Sequence, residues 1–218
     1  MKTVFLLSLW RFDVKDLLCQ ENQPINREVD HRILLILDLD ETLVHASPKA
    51  LDRPANFQLF DYHVYKRPYL KDFLVGCKPY FRLAVWSSAS DDYVEAMVER
   101  IIPLEVKLEF VWGRKRCTYG IHPSAYDADV YVDSYNHYQY VKILKKGKKR
   151  GFALERVLIV DNTPSKASRN YGNAIYPTAY LGDPNDTELP LLLTYLIGLR
   201  DIDNVRLIEK RNWKAALK

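Results

Sequence analysis

Three short apolar runs punctuate this chain, and each stops at a polar side chain. Ile33–Leu37 ends at Asp38, residues 83–86 end at Ser87, and Val157–Val160 ends at Asp161. Runs that are continuously apolar, rather than alternating, predict parallel strands covered on both faces. Between them the spacing turns helical. Residues 69–77 follow Pro68, and residues 91–102 place Tyr93, Val94, Met97, Val98 and Ile101 on one face, with Asp91 or Asp92 at the start and Pro103 beyond the end. Residues 164–171 form a third helical pattern closed by Gly172, and residues 186–199 a fourth. Strands alternating with helices predict an α/β fold: an open, mainly parallel sheet with helices on both faces and right-handed crossovers. In such sheets ligands bind outside the carboxyl ends of the strands. The three polar run ends are therefore expected on one edge.

Residues 57–65 alternate and predict a small hairpin arm. Residues 104–140 are irregular and rich in aromatics, including Phe110, Trp112, Tyr119, Tyr126, Tyr131, Tyr135 and Tyr138. They are read as an insertion beside the site, packing locally rather than recognising a substrate. The first 30 residues hold only a short apolar run between Lys2 and Arg11, with no small-residue cleavage site after it. Val4, Leu7, Phe12, Leu17 and Leu18 suggest an N-terminal extension over residues 1–30 that packs on a single domain spanning 31–213.

A chain of 218 residues that is 48% hydrophobic can build one sizeable core. Its formal net charge of +4 permits an anionic substrate but falls short of the basic footprint of stable nucleic-acid binding. Cys19, Cys77 and Cys117 lie too far apart for a zinc signature or disulfide framework, and read as free thiols in a reducing, cytoplasmic setting, or a nuclear one in a eukaryote. With no 20-residue apolar run, a soluble protein without a membrane partner is expected.

Asp38 and Asp40 flank Leu39 at the end of the first run, followed by Thr42. Side chains two apart on extended chain share a face, so both carboxylates converge on one point, where they repel unless a cation or proton intervenes. That is the pattern of a hard-metal, phosphate-handling site. Phosphomonoester hydrolysis needs a nucleophile, an acid for the leaving oxygen and positive charge around the transferring group. Asp38 can attack and form an aspartyl-phosphate, and Asp40 can protonate the leaving group and then deprotonate water. Mg²⁺ favours one or two carboxylates plus water and substrate oxygens, which suits Asp38 with Asp161 and Asn162. Ser87 can hold a phosphoryl oxygen, although Ser87, Ser88 and Ser90 equally suit caps for the next helix. Lys142 is the leading candidate for charge neutralisation. Its neighbours Lys145, Lys146, Lys148, Lys149 and Arg150 read as a solvated loop. Thr42 is expected to cap the loop or helix after the motif, and His45 and His122 to be structural.

The ordered segments DLDETLVH at residues 38–45, KRPYLKDFL at 66–74, VWSSAS at 85–90, YVKIL at 140–144, VLIVDNTP at 157–164 and DTELPLLL at 186–193 together resemble a family. It is the haloacid-dehalogenase-type phosphatases, in the small branch similar to C-terminal-domain phosphatases and nuclear-LIM-interactor-interacting factors. The resemblance implies a Mg²⁺-dependent phosphatase with Asp38 as nucleophile, Asp40 as general acid/base, Ser87 in the second motif and Lys142 in the third. It also implies magnesium held by the Asp38 side chain, the Asp40 main-chain carbonyl and Asn162, with Asp161 supporting through inner waters.

About twenty residues between His45 and Lys66 are too few for a large helical lid, so a protruding phosphorylated protein segment is the expected substrate. The alternatives are phosphorylated nucleic-acid ends or small metabolites, and a catalytically silent binding protein of the same fold.

Overall fold

In this computed structural model, residues 30–121, 138–146 and 151–217 are described. In chain order they form β1 (Ile33–Leu37), β2 (Val44–Ser47), β3 (Phe57–Leu59), β4 (Tyr62–Lys66), α1 (Leu70–Cys77), β5 (Phe81–Trp86), α2 (Asp91–Ile101), β6 (Leu108–Trp112), β7 (Thr118–Ile121), β8 (Tyr138–Val141), β9 (Val157–Val160), β10 (Ala174–Ile175) and α3 (Glu188–Leu199). Arg32–Lys218 is one compact unit.

The main sheet runs β10-β9-β1-β5-β6, and every pairing in it is parallel. All five residues of β1 are at most 2% exposed. At about 1.5–3 kcal/mol per buried aliphatic side chain, their burial offsets the roughly 1–2 kcal/mol per residue of backbone ordering. The pleat sends them to two different cores. Ile33, Leu35 and Leu37 join Leu83, Val85, Leu158 and Val160 beneath Phe73, Leu74, Val94, Met97, Leu192 and Leu196 of the three α-helices. Leu34 and Ile36 join Ala84, Trp86, Phe110, Trp112 and Ile159 on the other face.

Helical segments cover both faces, but they differ in kind. The second face is closed by the 3-10 turns Leu154–Arg156 and Pro164–Asn170 together with Leu144. The helical pattern expected over 164–171 is thus a 3-10 helix, followed by Gly172 at φ +85°. Pro164, Ser165, Ser168 and Asn170 favour a short tight turn over α-helix propagation.

Residues 44–66 form a small antiparallel sheet, β2-β4-β3, which extends the expected hairpin arm by one strand. The irregular stretch expected over 104–140 starts later than expected. Leu108–Trp112 is the edge strand of the main sheet, with Phe110 and Trp112 turned inward and Glu109 outward. A five-residue strand with an acid in it resembles its aromatic surroundings too closely to stand out as a run. β7 and β8 then pair as an antiparallel hairpin. Residues 1–29, residues 122–137 and His122 lie outside the described residues, and so do the readings that fall on them. Cys77 and Cys117 are buried free thiols. Among the described residues no helix is long and apolar enough to cross a membrane.

Candidate active site

Register brings the polar run ends together. Leu37 lies opposite both Val85 and Val160, so Asp38 follows at the level of Asp161. The backbone continues the ladder past the strand ends: Asp38 N donates to Val160 O, Ser87 N to Trp112 O, and Asp161 N to Ile175 O. Leu39 drops into the core at 0% exposure, while Asp38 reaches Lys142 and Asp40 reaches Ser87 and Tyr93. The loop after β1 closes tightly, with Leu43 N donating to Leu39 O at 2.8 Å and Glu41 at φ +59°.

Lys142 arrives from outside the main sheet, at the end of β8. Its main chain is fixed twice to the 3-10 turn Pro164–Asn170. Lys142 N donates to Lys166 O, and the Asn170 side chain donates to Lys142 O at 2.6 Å while accepting from Leu144 N at 3.0 Å. The ammonium then donates to Asp38 Oδ1 at 2.5 Å and to Asp161 Oδ2 at 2.7 Å. Lys142, Asp38 and Asp161 are all at most 2% exposed. Burial pushes the Asp38 carboxyl up to about 6; Lys142 opposes this, and Asp161 and Asp40 reinforce it. For Lys142, burial disfavours the charge, but the two carboxylates outweigh it and raise the ammonium to about 12.

Thr42 is not a simple loop cap. Its hydroxyl lies 3.3 Å from Asp38 Oδ2 and 3.2 Å from Asn162 Oδ1, and it accepts from Asn162 N at 3.2 Å. It thereby ties the first acidic motif to the fourth. Asp161 Oδ1 accepts from Thr163 N at 2.9 Å, which orients the carboxylate toward Lys142. Ser87 Oγ accepts from Ala89 N at 3.1 Å and donates toward Asp40 Oδ2 at 3.4 Å, so it serves both the loop and the site. Ser90, at the start of α2, makes no side-chain cap bond. His45 is structural, its Nδ1 lying 2.9 Å from Glu41 Oε1.

All six expected site residues, Asp38, Asp40, Ser87, Lys142, Asp161 and Asn162, therefore sit at the same edge. The donor set fits a hard divalent cation. Two carboxylates, Asp38 and Asp161, hold one buried ammonium, and Asp38 Oδ2 and the Asn162 side-chain oxygen converge on one hydroxyl. A small oxygen-loving ion would balance that charge.

Two residues that sequence reasoning passed over complete the arrangement. Tyr93 donates from its hydroxyl to Asp40 Oδ1 at 2.6 Å; its place in the apolar stripe of α2 made it look like core alone. Arg67 is 1% exposed and holds the carbonyls of Thr42 and Thr178. Its place in the KRPYLKDFL segment, a charged residue just before a proline at a strand end, was the signal for it. Beside Asp40 opens a cleft of about 490 Å³ lined by Glu41, Phe60, Tyr62, Tyr93 and Arg114.

Residues 33–206 match the model of the family described as NLI interacting factor-like phosphatase. CTD small phosphatase-like protein 2 of Dictyostelium discoideum is 30% identical over 190 residues, covering 84% of this chain but only 30% of that protein. CTD nuclear envelope phosphatase 1B of Danio rerio is 26% identical over 230 residues, covering 97% of this chain and 84% of that protein. The solved structure of an essential RNA polymerase II CTD phosphatase aligns with a TM-score of 0.48 at 16% identity, over 84% of this chain and 56% of that one.

Proposed function

The chain belongs to the NLI interacting factor-like phosphatase family, and we propose that it is a Mg²⁺-dependent phosphomonoesterase acting on phosphoserine or phosphothreonine in protein segments. The observation that carries this reading is the buried Lys142 ammonium shared between Asp38 and Asp161. A lysine held this way keeps its charge, orients one carboxylate for attack, and offers positive charge where a phosphoryl group would enter.

In the proposed reaction the Asp38 carboxylate attacks phosphorus and the bond to the leaving oxygen breaks. Asp40 gives its proton to that oxygen, and the product is a phospho-aspartate plus a free hydroxyl. Asp40, now a carboxylate, takes a proton from water. The resulting hydroxide displaces Asp38, and inorganic phosphate leaves. Ser87 turns its hydroxyl from Asp40 to a phosphoryl oxygen during the first step. Asp38, the Asp40 main-chain carbonyl and Asn162 would hold the magnesium ion, with Asp161 behind them. The ion would supply charge neutralisation at the phosphoryl oxygens.

A protein segment fits the surroundings better than a small metabolite. The chain between β1 and α1 folds into the small β2-β4-β3 sheet rather than a helical lid, and the cleft beside Asp40 has aromatic walls. Relatives bearing the name CTD phosphatase point the same way. Turnover of phosphopeptides, phosphorylated oligonucleotides and sugar phosphates, each with and without Mg²⁺, tests the substrate class. Asp38→Asn should abolish turnover of an aryl phosphate with the fold intact. Substantial residual activity in that variant rejects the nucleophile assignment.

A further inference from the structure

Tyr93 lies in the first turn of α2 at 9% exposure. Its ring packs near Phe60 (centroids 6.4 Å apart) and against the edge of Tyr62 (6.1 Å). A phenylalanine would satisfy that packing equally well. The hydroxyl does something packing does not need: it reaches across to the loop after β1 and donates to Asp40 Oδ1 at 2.6 Å. The other oxygen, Oδ2, faces Ser87 Oγ at 3.4 Å, on the side where a phosphoryl group held by Ser87 would sit. The two oxygens of Asp40 are therefore not equivalent.

We propose that Tyr93 is a positioning residue, whose hydroxyl fixes the Asp40 carboxyl so that Oδ2 carries the proton toward the leaving oxygen. The inference rests on the reading of Asp40 as the general acid and adds to it the residue that aims the acid. Asp40 is partly exposed, at the start of the turn after β1, and its side chain could otherwise rotate about χ1 and χ2. A short hydrogen bond to one oxygen removes that freedom before substrate arrives, at no cost during the reaction. The donor role suits the phenol. Burial and then the adjacent Asp40 charge both push its ionisation upward. Because the bond originates on a helix packed into the core through Val94 and Met97, the aim is set by rigid structure rather than by the loop.

The test uses the dependence of rate on the leaving group. Protonation matters greatly for an alkoxide leaving group and little for a strongly acidic phenol. kcat/KM, which covers the steps from free enzyme and substrate through phosphoryl transfer and none after it, is measured for wild type, Tyr93→Phe, Asp40→Asn and the double variant. Substrates run from 2,4-dinitrophenyl phosphate through p-nitrophenyl and phenyl phosphate to a phosphoserine peptide. Tyr93→Phe should stay near wild type on the dinitrophenyl ester and fall on the order of 10- to 100-fold on the peptide, a part of the 10²–10⁴ that general acid catalysis provides. In the Asp40→Asn background the second change should have no further effect. A uniform loss across all esters, or full additivity with Asp40→Asn, overturns the positioning role while leaving Asp40 as the acid. An Asp40→Asn variant without leaving-group dependence removes the acid assignment and the inference with it. Unfolding midpoints within a degree or two of wild type establish that the variants are folded.

Discussion

Arg67 and Asp186 meet in a two-pronged pair, Nε to Oδ1 and Nη2 to Oδ2, both at 2.8 Å across 119 residues of sequence. The same guanidinium donates to Thr42 O at 3.0 Å and Thr178 O at 2.9 Å, so one side chain ties the approach to α3 to the back of the acidic loop. Burial would raise the Asp186 carboxyl, but hydrogen bonds from Arg67 and from the backbone at Glu188 outweigh it and hold the group below its ordinary value.

Arg67→Met should therefore destabilise the protein by about 3 kcal/mol, the range for removing one partner of a buried pair. Chemical denaturation checks the size. The sign with pH follows from a carboxyl depressed in the folded state. The pair's contribution is fully present above the unfolded carboxylate range near 4 and is lost as the pH falls through the lower folded value. The gap between wild type and variant should narrow in strong acid without closing, because the bonds from Arg67 to Thr42 O and Thr178 O do not titrate.

Magnesium affinity should depend on pH through Asp38. Proton and cation compete for a carboxylate whose pKa burial raises to about 6. Above that pH the ionised form is ready, and below it each further unit should weaken binding about tenfold. Direct calorimetric titration of Mg²⁺ between pH 5 and 7.5 measures this. A flat affinity across that range would remove Asp38 from the cation's ligands.

Asn170→Leu should lower turnover more than stability. It removes the clasp on Lys142 O and Leu144 N, two backbone groups that would then lack a partner. The cost is about 1–3 kcal/mol for each, while the Lys142 ammonium loses its fixed approach to Asp38. Comparing kcat with the denaturation midpoint separates the two effects. Equal kcat in variant and wild type would mean that the hairpin is held elsewhere.

Gly113→Ala should disturb the loop that carries Ser87. A Cβ there would come within 2.8 Å of the Asp91 Cα, at the start of α2. Backbone must move, at about 1–3 kcal/mol for overpacking. The nearby Arg114 N to Ala89 O bond would be strained with it. A crystal structure and thermal melt of the variant provide the check.

Much of the sheet and the placement of its polar run ends was legible in the sequence. Leu34 and Leu35 need no partner to announce a strand buried on both faces, and Asp38 and Asp40 straddling Leu39 announce two acids just past its end. Other parts were not legible. β6 mixes Leu108, Glu109 and Phe110 at a sheet edge, where burial is partial and the pattern correspondingly faint. β10 is two residues long, too short for any period to show. Tyr93, Asn170 and Arg67 gain their importance from partners 53, 28 and 119 residues away, and local pattern holds no record of such partners.

Sequence by itself determined which strands are central, because burial on two faces leaves only apolar residues, and which side chains end them. It determined the two-residue spacing that turns a pair of acids to one side, because the alternation of an extended chain is a local property. Tertiary structure alone decided how Lys142 enters, from a hairpin outside the main sheet and between Asp38 and Asp161. It alone decided that Thr42 joins the first and fourth motifs, and that Tyr93 reaches Asp40. Those contacts depend on strand register and on loops closing across long separations, and register is set by the packing of the whole sheet rather than by any one segment.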